Sequence, residues 1–193
     1  VPFAPTTIAL GLGTGVFVNA GDQTRAIKDW EDSQSGTLVS LSGSSEMLTH
    51  YLPALNVTYA PIEYLRLRGI FEYGYSFKYV DITNGDNRLF TFRRVSGGAT
   101  LGFELPIRHQ RLVAIGVGGG LLMHAVKFEK HTGSVLGFKI HATTAFRATD
   151  KLFGELYVAY DHVPAKSDLI DGFDLDYSSI QLGALVHYGL TER

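Results

Sequence analysis

Hydrophobic alternation, sustained over stretches long enough to cross a bilayer, constrains this chain more than any other feature. From Thr6 to Asn19 one parity carries Ile8, Leu10, Leu12, Val16 and Val18, and the other carries Thr7, Ala9, Gly11, Gly13, Gly15 and Asn19. A period of two places these sets on opposite faces of one extended strand. The same division recurs over Glu46–Tyr59, Leu65–Phe77, Arg94–Leu105, Arg111–Ala125, Leu136–Arg147, Leu152–His162 and Tyr177–Leu190. A membrane-crossing strand needs about 9–11 residues, and each segment supplies them. The expected fold is all-β: an antiparallel up-and-down transmembrane barrel of about eight strands, in one domain spanning residues 1–193.

The composition of the two faces decides which one meets water. The polar face is rich in glycine, and the chain contains 22 glycines. Glycine weakens a strand interior unless something must approach the backbone closely. A narrow barrel supplies that need, because small residues leave room inside for Arg, Glu, Tyr and His. The other face is large and apolar, with aromatics towards the strand ends, which suits lipid and an interfacial girdle. A soluble lipocalin-like barrel, apolar inside and wet outside, is the alternative. Helical spanning is excluded, since no run approaches the roughly 20 apolar residues it requires.

The connections point the same way. Ala60-Pro61-Ile62-Glu63, Pro106 to Gln110 and Ala148-Thr149-Asp150-Lys151 carry turn chemistry. The links Ala20–Ser45, Lys78–Arg93, Val126–Val135 and Val163–Asp176 are longer and polar. Short and long links therefore alternate, as periplasmic turns and extracellular loops do, with both termini periplasmic. The first long link accommodates either a helical turn over Arg25–Asp32 or an extension of the second strand through Leu38–Leu41. The expected address is a Gram-negative-type outer membrane. The formal charge of −2 offers no basic field for nucleic acid. With no cysteine there are no disulfides or thiolate metal sites.

Pattern over nearly the whole length resembles the small outer-membrane barrels of the OmpA/OmpX kind. That resemblance implies a filled lumen held by ion pairs and functional surfaces on the extracellular loops. One departure is the end, Tyr188-Gly189-Leu190-Thr191-Glu192-Arg193, where such barrels commonly finish on an aromatic residue. A trimmed chain or a following domain would account for it.

On the inward parity lie Arg66, Arg68, Glu72, Arg94, Glu104, Lys139, His141, Arg147, Glu155 and Asp161. Charges withdrawn from water must be paired. Arg68 and Glu155 sit at similar heights on strands that face each other across an eight-stranded barrel, so a cross-lumen pair is expected. A neighbouring-strand pair is expected between Lys139 and Asp161. The bland reading is an ion-paired plug, which the narrowness of eight strands favours; the sharper one is a gated ion path.

A weaker resemblance is to outer-membrane lipid A deacylases of the PagL kind. These carry His-x-Ser near the top of the penultimate strand and a carboxylate on the last. Here the sequence reads Tyr160-Asp161-His162-Val163-Pro164, followed by Asp176. Nucleophilic catalysis needs a hydroxyl, a base and an orienting acid. Pro164 stands where the serine belongs, and Ser167 would need a rearranged loop. A second set, His141, Thr143 and Glu155, shares the luminal face. No catalytic site is therefore expected, with His162 and Asp176 the nearest approach to one. The runs Asp81–Asn87 and Asp168–Asp176 are oxygen-rich but lack calcium-loop spacing, and such residues are also turn formers. Gly116–Gly120 falls within a strand and is no phosphate loop. No metal or cofactor is expected.

The expected function is non-enzymatic, with loops that meet the outside or an extracellular or envelope protein partner. Outer-membrane lipid and lipopolysaccharide are the other expected contacts. Trp30, Ile170 and Phe173 are the candidate contact residues of the loops.

Overall fold

The computed structural model describes residues 4–18, 49–81, 87–107, 113–128, 131–164 and 176–190. Within them run eight strands: β1 (Thr6–Phe17), β2 (Thr49–Tyr59), β3 (Leu65–Asp81), β4 (Asn87–Pro106), β5 (Val113–Phe128), β6 (His131–Arg147), β7 (Leu152–His162) and β8 (Ser179–Gly189). Each is antiparallel to its sequence neighbour, and β1 pairs with β8 from Thr7↔Gly189 to Phe17↔Ser179, which closes the barrel. Closure leaves no strand edge, a condition for placing a sheet in lipid.

Exposure runs opposite to that of a soluble fold. Leu12 is 72% and Leu182 63% exposed, whereas Glu155 is 2% and Asp161 0%. The apolar parity forms the outer wall and the polar parity fills the inside, so the lipocalin-like alternative is ruled out.

Two of the longer links are shorter than the sequence pattern suggested. β3 continues to Asp81 and β4 begins at Asn87, so most of Lys78–Arg93 is paired strand. Likewise β5 reaches Phe128 and β6 resumes at His131, which absorbs most of Val126–Val135. Alternation explains both, because Phe92 and Phe128 continue the inward parity, and both are buried. The first long link, with its two alternatives, lies outside the described residues, as does most of the last.

One ladder is interrupted. Between β2 and β3 the pairing runs Tyr51↔Tyr75 and then Ala54↔Glu72. The gap falls at Pro53, which has no N–H to donate, while its partner on the other side, Leu12, is retained.

Inside, glycine makes room for one large ring. A Cβ on Gly183 would lie 2.5 Å from Tyr157 Cζ, and one on Gly13 2.5 Å from the Tyr157 hydroxyl oxygen. We expect Gly183→Ala to destabilise the barrel by about 1–3 kcal/mol through overpacking. Tyr157→Leu should relieve much of that loss in the double variant. Urea unfolding, read by the heat-modifiable shift in gel migration, checks both; equal stability of Gly183→Ala and the parent would refute the packing account.

Candidate functional site

The lumen holds charges at successive heights. At the end bearing the β2–β3 and β6–β7 turns, Arg66 Nη2 lies 2.6 Å from Glu104 Oε2. Arg66 Nη1 also donates to the carbonyls of Glu63 and Leu65, both at 3.1 Å, tying the pair to the turn. Above it Arg68 donates both terminal nitrogens to Glu155, at 2.7 and 2.8 Å, in a bidentate contact across the barrel. His187 Nε2 lies 3.3 Å from the same carboxylate, and His187 Nδ1 is 3.2 Å from the Thr7 hydroxyl. Bidentate geometry combines strength with a fixed orientation.

Higher still, Lys139 reaches across to Glu72, with its ammonium 6.0 Å from the centre of the Tyr157 ring. Arg94 Nη2 sits 2.9 Å from Asp161 Oδ2. Gln181 Nε2 donates to that same oxygen at 3.0 Å, and Arg94 Nη1 donates to the Tyr177 carbonyl at 3.3 Å. His124 Nε2 stands 3.7 Å from Asp161 Oδ1, while its Nδ1 is 2.8 Å from the Ser96 hydroxyl. Among the described luminal residues, the four cations Arg66, Arg68, Arg94 and Lys139 therefore match the four carboxylates Glu72, Glu104, Glu155 and Asp161.

Apolar side chains lie beyond the charges at both ends. Towards the end away from the turns, Tyr177 packs edge-on against Phe17 (ring centroids 6.0 Å apart) and Phe92 (6.3 Å), and Phe92 lies tilted against Phe128 with centroids 5.0 Å apart. All four rings are buried. Towards the turn end Phe153 packs with Ala114, Ala145 and Ala4.

Two expected positions need correction. Lys139 and Asp161 are direct register partners, yet they do not pair. Asp161 is taken by Arg94 and Gln181, and among the described residues Lys139 is the only cation bonded to Glu72, which would otherwise be a buried lone charge. Arg147 does not belong to the lumen. As the last residue of β6 it reaches into the following turn, pairs with Asp150 and donates to the Thr149 carbonyl at 3.2 Å. His141 is luminal without an ion pair, and lines a small cavity with Arg66, Arg68, Thr100, Glu104 and Thr143. His124, His187, Gln181 and Ser96 belong to the network although their charge did not single them out. Their signal was inward parity, as it was for Phe17, Phe92 and Phe128.

The hydrolase-like residues meet only in part. His162 Nδ1 lies 3.2 Å from the Ser178 hydroxyl, and Asp176 Oδ1 accepts from the Ser178 backbone N–H at 2.8 Å. The serine near His162 thus comes from the residue just before β8, not from the position of Pro164. Ser178 is buried, and its hydroxyl oxygen accepts the Val163 N–H at 3.0 Å. The ring of His162 packs on Phe138 at 4.9 Å. The Ser178 hydroxyl is thus buried and already holds a backbone N–H. Among the described residues no group of three or more His, Asp or Glu is arranged to hold a metal. Trp30, Ile170 and Phe173 lie outside the described residues, as do the central parts of both acidic runs.

No protein-family model matches the chain, and no curated protein sequence does. Solved structures do. The crystal structure of Neisserial surface protein A (NspA) superposes with a TM-score of 0.63 at 13% identity, over 97% of this chain and 98% of that one. The fold is that of the small outer-membrane β-barrels. The outer membrane protein OprG from Pseudomonas aeruginosa agrees, with a TM-score of 0.56 at 10% identity over 96% of this chain and 97% of that one. At such identities the functional residues of these barrels do not carry across to this chain.

Removing one partner of a buried pair strands the other. Arg68→Ala or Glu155→Ala should each cost about 3–5 kcal/mol of barrel stability, and the double variant clearly less than the sum. A double-mutant cycle by denaturant titration in detergent measures this. Strict additivity would mean that the contact contributes no coupling.

Proposed function

We propose that this chain is an integral outer-membrane barrel with a closed, non-conducting lumen, whose working surface is the rim formed by the connections away from the short turns. One observation carries it: a charge-matched stack of side chains inside the barrel, with buried aromatic rings beyond it at one end and an apolar cluster at the other. Moving an ion past that stack would require breaking pairs that are buried from water, at a cost of several kcal/mol each. Eight strands enclose a space that side chains just fill. The apolar outer wall and the fold shared with outer-membrane barrels support the membrane address.

With the lumen filled and the wall facing lipid, recognition falls to the rim. Trp30, Ile170 and Phe173 are the proposed contact residues there, for an extracellular or envelope protein, because large apolar side chains anchor interfaces. A lipid-modifying activity is disfavoured by the buried, bonded hydroxyl of Ser178.

Planar-bilayer recording tests the closed lumen. The purified barrel should give a silent membrane, and so should Arg68→Ala. Steady conductance that changes on Arg68→Ala would replace this reading with a narrow channel. Loss of acyl chains from lipid A that disappears in His162→Ala would replace it with an enzyme.

A further inference from the structure

Two cations stand side by side on the outer wall near the end away from the short turns. Arg93 on β4 and Lys127 on β5 are direct register partners and both are exposed. Their neighbours Arg94, Val126 and Phe128 are buried inside, so strand alternation turns Arg93 and Lys127 outwards. Like charges directly opposite each other destabilise a strand pair. Among the described residues no carboxylate pairs with either. Arg93 instead lies 5.8 Å from the ring centre of Tyr75, its register partner on β3.

Below this pair the wall is hollowed by small residues. Gly97 lies four residues along β4 from Arg93 on the same face, with Ala99 next on that face and Gly69 opposite Ala99 on β3. Four residues span about 13 Å of strand, close to half of a bilayer's hydrocarbon core of about 30 Å. Glycine inside a strand weakens it and often marks a bulge, a bend or the close approach of a ligand or another backbone. Nothing among the described residues requires it here. A Cβ on Gly97 would come no nearer than 4.0 Å to another atom, the Ile70 carbonyl oxygen, and one on Gly69 no nearer than 3.8 Å. Phe71 and Met123, the register partners of Gly97, stand on either side, each about half exposed. The described residues thus leave this stretch of backbone open towards the outside of the barrel.

We propose that this face is a lipid site. Arg93 and Lys127 hold a phosphate of a phosphorylated glycolipid, the lipid A part of lipopolysaccharide, and one acyl chain lies in the trough over Gly97, Ala99 and Gly69. Arg suits phosphate through its fork of donors, and clustered basic residues at a membrane surface select anionic headgroups. A tyrosine beside them suits the interfacial level. A second copy of the chain fits less well, because a two-fold contact through this patch would bring the two cation pairs face to face. The site is separate from the lumen and does not depend on whether the barrel conducts.

The test uses the full chain folded in zwitterionic detergent. Retention of diphosphoryl lipid A, of its dephosphorylated form and of phosphatidylcholine is measured by native mass spectrometry. The parent protein should retain one diphosphoryl lipid A at least tenfold more tightly than the dephosphorylated form. Arg93→Gln/Lys127→Gln should abolish that preference, and Lys127→Arg should preserve it. Gly97→Leu, which fills the trough, should weaken both forms of lipid A. Unchanged heat-modifiable migration of every variant shows that the barrel is intact. Equal retention by the parent and the double variant would overturn the proposal. So would competition by millimolar inorganic phosphate as effective as that by the lipid, which would point to a free anion. A cross-linked dimer that Gly97→Leu dissolves, with lipid retention unchanged, would assign the patch to self-association instead.

Discussion

The β1–β8 pairing is the contact on which the rest of the molecule depends. A sheet in hydrocarbon cannot leave N–H and C=O groups open along an edge, so eight strands must close on themselves. Once they do, the interior is only as wide as two layers of side chains. That width requires charges to be paired directly, not through bulk water. It also explains why Tyr157 fits only where Gly13 and Gly183 have no side chain. The polar interior and apolar exterior of this barrel follow from closure in lipid. The same residues closed in water would have to turn inside out.

Strand number and the two faces of each strand could be read from parity, and the composition of those faces told wall from lumen. Alternation is a local property, and it survived even where the strands outran their expected ends, as at Phe92 and Phe128. Heights could be counted from the short turns, and Arg68 and Glu155 meet across the lumen. What parity cannot show is which of several charges at similar heights a flexible side chain will choose. Lys139 faces Asp161 in register but has a chain long enough to reach Glu72, and the choice is settled by which carboxylate would otherwise stay alone. Arg147 shows a second limit. At a strand end the inward parity still holds, but the guanidinium has a turn carboxylate within reach and takes it. Uncharged members such as Gln181 and His124 were hidden for another reason. Each is an ordinary strand residue until its neighbours across the barrel are known.

The two faces divide the chemistry between them. Inside, every described acid has its base, and the described residues of the network leave no charge over for a ligand. Outside, the wall is apolar almost throughout, so the adjacent cations Arg93 and Lys127 stand out against it. An unbalanced charge placed where lipid headgroups lie has a different meaning from a balanced one sealed in a lumen.

Three of the four luminal pairs join the first half of the barrel to the second: β3 to β7 through Arg68 and Glu155, β3 to β6 through Glu72 and Lys139, and β4 to β7 through Arg94 and Asp161. None of these bonds can form within a hairpin. A sheet of the first four strands alone would carry Arg68, Glu72 and Arg94 towards its inner face without their partners. Partly assembled barrels are thereby penalised electrostatically as well as at their open edges, and the cost is relieved only when the last strands arrive. Ring closure is thereby favoured electrostatically as well as by edge pairing, with the charges acting as a lock that engages only on the finished cylinder.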